Sequence, residues 1–167
     1  MATVIRGSDN FDTAYAKSVA VIADVKSSSA YGGTFTAGAW RTRDLNTEVD
    51  DPSNIVTIAS NQFTLQAGTY LVEWSTPAYK VDRHQSRLQN ITDSTTEVLG
   101  TSEYSNDSDS VISRSMGASV VTITGAKAFE IQHWAYVTSS QYGFGVNSPV
   151  SGHNSVYTIV KIHKIGA

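Results

Sequence analysis

Asn61-Gln-Phe-Thr-Leu-Gln-Ala-Gly-Thr-Tyr-Leu-Val-Glu-Trp-Ser-Thr-Pro-Ala-Tyr79 carries two alternating apolar runs either side of a glycine. Phe63 and Leu65 stand two apart in the first run, and Tyr70, Val72 and Trp74 do the same in the second. Residues two apart on a strand share a face, so each run offers one apolar face to a core. Ala67-Gly68 between them supplies a turn at a residue free of a Cβ. The stretch therefore predicts two strands joined by a turn, the aromatic-rich second one central. Pro77 lacks a backbone donor and is expected to end regular pairing.

Working outward, the same short alternations recur. Ser18–Val25 is a brief apolar run; its alanines allow a helix, but β-branched Val19, Val21 and Val25 favour a strand. Thr34–Leu45 predicts a strand with Trp40, Thr42 and Asp44 on one side, and Ile55–Ile58 a short one. Asn46–Asn54 is polar, with a turn at Asp51-Pro52. Lys80–Ile91, Glu97–Ser102, Arg114–Thr124, Ala128–Val137 and Val156–His163 complete the set. In Ala128–Val137, Phe129, Ile131, His133, Ala135 and Val137 share one face, and Glu130, Gln132, Trp134 and Tyr136 share the other. About eight to ten strands at roughly 10–15-residue spacing, with no convincing helix, predict an all-β antiparallel sandwich or jelly roll. Residues 1–17 are polar and aperiodic: an N-terminal arm, an attachment segment or a frayed end, before a head domain at 18–167.

Composition bounds the function. The chain has 167 residues, 40% hydrophobic but only 16% charged, enough for one domain with a real core and a weakly charged surface. A net charge of −3 gives no nucleic-acid footprint. The absence of cysteine excludes disulfides and thiolate metal sites, and leaves packing or oligomerisation to supply durability. No apolar run reaches membrane-spanning length and no signal peptide opens the sequence, so neither membrane insertion nor general secretory export is expected.

Phe63-Thr-Leu-Gln-Ala-Gly-Thr-Tyr70 resembles the central Phe-x-Leu-x-x-Gly-x-Tyr signature of C1q-like heads. Leu45-Asn-Thr47, Pro77-Ala-Tyr79, His84-Gln-x-Arg-Leu88, Gly100-Thr-Ser-Glu103, Phe129-Glu-Ile-Gln-His133, Gly143-Phe-Gly145 and Val156-Tyr157 resemble the versions found in bacteriophage tail-fibre and related virion proteins. The resemblance to this C1q/TNF-like jelly-roll family covers roughly residues 18–167. It implies about ten strands, a homotrimer, and a non-enzymatic head on the virion, assembled in the host cytoplasm. Its implied partners are other virion proteins and a bacterial surface glycan or protein. The alternative is a decoration or connector protein of the particle that binds no receptor. About 17 residues precede the head in this sequence, so the expectation is either a small separate virion protein or a piece of a longer fibre.

Candidate functional residues follow from residue type. Tyr31, Tyr104, Tyr142 and Phe144 lie among Ser, Asn and Gly. Aromatic faces beside small polar groups suit sugar recognition, because the ring covers C–H patches while amides and hydroxyls bond the sugar oxygens; ordinary loop packing is the plainer role. Trp134 and Tyr136 share a strand with apolar groups on both faces, which points to an oligomer interface on one of them. No Gly-x-Ser-x-Gly elbow occurs, and no enzyme activity is expected. His84, His133, His153 and His163 form no His-x-His or His-x-x-x-His pair. His133, on an apolar face, reads as a hydrogen-bonded histidine, or, near a trimer axis, as a triplicated metal or pH-sensitive group. Asn106-Asp-Ser-Asp109 and Asp50-Asp51 offer oxygen ligands to a structural calcium or other hard cation, or are solvated turns. No other cofactor is expected.

Overall fold

A computed structural model describes residues 18–167; the arm expected at 1–17 lies outside them. Eleven strands form: β1 (Val19–Lys26), β2 (Arg41–Thr42), β3 (Thr47–Asp50), β4 (Val56–Ala59), β5 (Gln62–Leu65), β6 (Gly68–Tyr79), β7 (Asp82–Asn90), β8 (Thr95–Ser105), β9 (Ile112–Ile123), β10 (Lys127–Ala135) and β11 (Ser155–Gly166). Sheet I has the order β3-β1-β11-β6-β9, and sheet II the order β4-β5-β10-β7-β8, with β2 added to β10. All strand pairs are antiparallel. No helix occurs among the described residues.

The opening stretch does form two strands, but they do not pair with each other. β5 bonds β4 and β10 in sheet II, while β6 bonds β11 and β9 in the interior of sheet I. The turn between them therefore crosses the sandwich, and both apolar faces meet in one core. Phe63, Leu65, Tyr70, Val72 and Trp74 all belong to that core, and the Phe63 ring stacks on Phe129 with centroids 5.6 Å apart. Burying each such side chain stabilises the fold by about 1.5–3 kcal/mol.

Three expectations change. β6 runs through Pro77 to Tyr79: pairing with β11 ends at Ser75, while pairing with β9 continues to Tyr79. A proline is tolerated where a strand has an unpaired side. The long strand expected at Thr34–Leu45 shrinks to β2 and a single bridge, Phe35 to Ser139. The polar stretch Asn46–Asn54 contains the edge strand β3, whose last three residues are exposed.

Trp74 fixes the spacing of the sheets. Its indole Nε1 donates to Ser86 Oγ across the sandwich at 2.8 Å, and its ring lies under Gly117. A Cβ at Gly117 would sit 2.1 Å from the ring, so only glycine fits there. The registers also define two ends. Val19, Gly68 and Gly166 mark the near end; Lys26, Tyr79 and Asp82 mark the far end. A second buried cluster, Phe35, Ala78, Val81, Ala135 and Phe144, plugs the far end.

Candidate functional site

Two loops place the far-end tyrosines. Tyr31 and Tyr142 meet edge to face at 4.3 Å, and Tyr79 stands 6.1 Å from Tyr142. The Tyr79 hydroxyl donates to Ser110 Oγ at 3.1 Å, tying this cluster to the loop between β8 and β9.

Within that loop, Asn106 Oδ1 accepts from the Ser108 and Asp109 amides at 2.8 and 3.2 Å, and Asn106 Nδ2 donates to Asp109 Oδ2 at 3.1 Å. Asp51 likewise accepts from the Ile55 and Val56 amides, both at 3.0 Å. Both stretches considered for a hard cation thus use oxygens on their own turns. No group of three or more His, Cys, Asp or Glu side chains is placed to hold a metal ion among the described residues.

Phe144 is a core residue. Its ring lies 4.6 Å from Phe35 and faces the Arg43 guanidinium at 4.0 Å, so it offers no free face to a ligand. Gly143 and Gly145 explain why. A Cβ at Gly143 would meet Phe35 at 2.4 Å, and Gly145, at φ +133°, lies against the Tyr157 ring. The two glycines let the loop press inward and carry Phe144 with it. Tyr104 stands apart from the other tyrosines. It lies on β8 opposite Arg83, on the outward face of sheet II. Trp134 and Tyr136 lie on that face too, with centroids 6.4 Å apart, and Arg83 covers Tyr136 at 4.3 Å. Alternation showed that these residues share a face but not which way the face points.

Arg43 was not singled out by its sequence context. It is fully buried and donates from Nε to Thr158 Oγ1 at 3.0 Å, from Nη1 to the Pro77 carbonyl at 3.2 Å and from Nη2 to the Phe144 carbonyl at 2.8 Å. Burial lowers its pKa to about 9, against the opposing pull of Asp24 and Asp44. It staples the Gly143–Gly145 loop to both β6 and β11.

A buried hydrogen-bonded chain joins the two sheets beside it. Thr76 Oγ1 meets His133 Nδ1 at 3.2 Å, His133 Nε2 meets His84 Nδ1 at 2.9 Å, and His84 Nε2 meets Ser113 Oγ at 2.7 Å. With both rings neutral, each donates once and accepts once, so the chain closes in either direction. Burial holds both imidazoles neutral: His84 is lowered to about 4, with Glu103 opposing and Arg43 assisting, and His133 well below its ordinary value, with Arg43 and His84 assisting. Ser113, His84 and His133 have the connectivity of a nucleophile, a base and an orienting group. A base so depressed is poorly matched to proton abstraction near neutral pH, and Ser113 lines neither of the two cavities described below.

The outward face of sheet I is the larger feature. Met116, Val120, Val156 and Ile165 are about half exposed on it. A shallow depression of about 670 Å³ runs between Trp74, Met116, Gly117, Val156 and Ile159. Charges are few and mixed: Lys161 pairs in register with Glu73, and His163 Nε2 lies 3.6 Å from Glu73 Oε2. Large exposed apolar patches mark contact surfaces.

Solved structures share this arrangement. The globular domain of zebrafish complement 1qA superposes with a TM-score of 0.56 at 14% identity, over 89% of this chain and 98% of that one. Murine APRIL at pH 5.0 gives 0.57 at 10% identity, over 89% and 98%. Eiger TNF from S. frugiperda gives 0.57 at 12% identity, over 88% and 91%. The fold is the C1q/TNF-like jelly roll. Identities this low speak for the fold alone, and nothing in these comparisons links the chain to bacteriophage tail fibres. No protein-family model and no curated protein sequence matches it.

Proposed function

We propose that the chain is the non-enzymatic head of a bacteriophage tail fibre or spike, a homotrimer that binds a bacterial surface glycan or protein. The apolar outward face of sheet I is the observation that carries the trimer: it is a weakly charged surface with Met116 and Val120 more than half exposed, at 52% and 59%. Its burial in a trimer would remove these groups from water. The virion setting rests on the sequence motifs, Gly143-Phe-Gly145 and His84-Gln-x-Arg-Leu88 among them. The far end supports binding, because it gathers Tyr31 and Tyr142 on loops held by a rigid sandwich.

A decoration or connector protein would draw on the same apolar face, with no use for an aromatic far end. Two measurements test the proposal. The mass of the purified protein in solution should be three chain masses, and a monomer overturns the trimer. The protein should also bind host bacteria and compete with phage adsorption; failure to bind cells at high concentration favours the connector.

A further inference from the structure

The outward face of sheet II divides into two parts. In one part the polar side chains bond each other. Arg87 donates from Nε and Nη2 to Gln132 Oε1 at 2.9 and 2.6 Å, Gln132 Nε2 donates to Glu130 Oε2 at 2.8 Å, and Gln62 Nε2 donates to Glu130 Oε1 at 3.0 Å. Toward the far end the pattern reverses. Trp134 Nε1, the Tyr104 hydroxyl and the Ser102 hydroxyl make no side-chain hydrogen bond among the described residues. Gln85 donates from Nε2 to the Gly100 carbonyl at 2.9 Å, which fixes the amide and leaves Oε1 free of protein donors there. These groups, with Arg83, surround a groove of about 450 Å³ whose base reaches His84.

We propose that this groove binds a neutral hexose unit of an oligosaccharide. The inference deepens the functional reading above by naming a site and a ligand class, and it rests on that reading only for glycan binding; neither the trimer nor the virion is needed. The volume lies within the range of small-molecule sites, about 300–1,000 Å³. Trp134 and Tyr104 supply aromatic surface for the C–H face of a pyranose, and Gln85, Ser102 and Arg83 supply donors and acceptors for its hydroxyls. Arg83 Nε already lies 3.7 Å from Asp82 Oδ1, which suits a neutral ligand over a sialylated or phosphorylated one. Trp134 lies opposite Gln85, Gln85 opposite Ser102, and Arg83 opposite Tyr104. The groups therefore stand on three adjacent strands rather than on loops, already placed before a ligand arrives.

The test is calorimetric titration of the purified full chain with neutral di- and trisaccharides of glucose, galactose, mannose and N-acetylhexosamines. At least one should bind saturably below about 10 mM. Trp134→Ala should weaken it about tenfold or more, Trp134→Phe should retain most of it, and Val49→Ala, on the exposed edge strand β3, should leave it unchanged. Ser102→Trp, at an exposed position, should block the groove and keeps the test valid if Trp134→Ala fails to fold. Binding that survives both Trp134→Ala and Ser102→Trp but is lost in Tyr142→Ala overturns the groove and leaves glycan binding at the far-end tyrosines. No saturable binding of any of these sugars overturns the groove outright, while solution mass and cell binding still decide the broader reading.

Discussion

The two sheets turn opposite kinds of surface outward. Sheet I shows aliphatic and thioether groups with scattered charge; sheet II shows an interlinked polar layer and an aromatic groove. Their inner faces are alike, since both feed one core. The core therefore does not account for the difference. An exposed valine gains nothing in water, whereas the Arg87–Gln132–Glu130 layer is satisfied without any partner. Sheet I is a face that needs covering, and sheet II is a face that is complete except at its groove.

The largest expected effect breaks the first half of that contrast. Replacing Met116 and Val120 together by glutamate places two charges on the outward face of β9. If this face is buried between subunits, the solution mass falls from three chain masses to one, because buried unpaired charges are costly. If it is free surface, mass does not change and stability moves by no more than about 0.5 kcal/mol. Light scattering after size exclusion separates the outcomes.

Arg43→Ala is expected to cost about 3–5 kcal/mol in urea denaturation, because it orphans three buried acceptors and opens a cavity beside Phe144. Arg43→Lys should recover only part of this, having no planar fork to reach Thr158, Pro77 and Phe144 together. A loss under about 1 kcal/mol would mean that the staple is not needed to hold the far end.

Acid should weaken the fold through the histidine chain. The unfolded chain takes up protons on His84 and His133 near their ordinary value of 6.5, whereas folded His84 does so only at about 4. Between these values the unfolded state binds more protons, so stability falls as the pH falls. The stability is fully present above about pH 6.5; His84 alone accounts for about 3 kcal/mol lost by about pH 4. Buried Asp24, whose carboxyl is raised by burial despite Lys26, opposes this at the acid end. Urea melts across this range should show the slope, and the double variant His84→Gln, His133→Gln should flatten it.

Much of the fold was legible because a half-buried strand writes its alternation into the sequence. Phe63 to Trp74 are read correctly down to the buried face, and in Phe129 to Ala135 the residues that share a face are grouped correctly. Which strands become neighbours was not legible: β5 and β6 are adjacent in sequence yet lie in opposite sheets. The site was harder still. Composition marks Tyr142 and Phe144 alike, but the glycines that flank Phe144 draw it into the core while Tyr142 stays half-buried at the rim. Arg43 looks like any surface arginine until Thr158 and Phe144, more than 100 residues away in the chain, close around it. The groove needs three strands in register before Trp134, Gln85 and Ser102 become neighbours.

The smallest effect tests the division within sheet II. Gln132→Ala removes the acceptor of Arg87 Nε and Nη2, leaving Thr96 to Nη1, and one donor to Glu130, which is 8% exposed and keeps Thr42 and Gln62 as partners. The expected loss is about 1–2 kcal/mol, the cost of leaving charged groups short of a hydrogen bond. Tyr104→Ala, at a residue 55% exposed and bonded to no protein side chain, should cost at most about 0.5 kcal/mol. Sugar affinity should move the other way, unchanged by Gln132→Ala and reduced by Tyr104→Ala. A layer that exists for stability and a groove that exists for a ligand respond oppositely to these two readouts. If both substitutions cost the same stability and neither changes binding, the outward face of sheet II is one continuous solvated surface and its apparent division has no function.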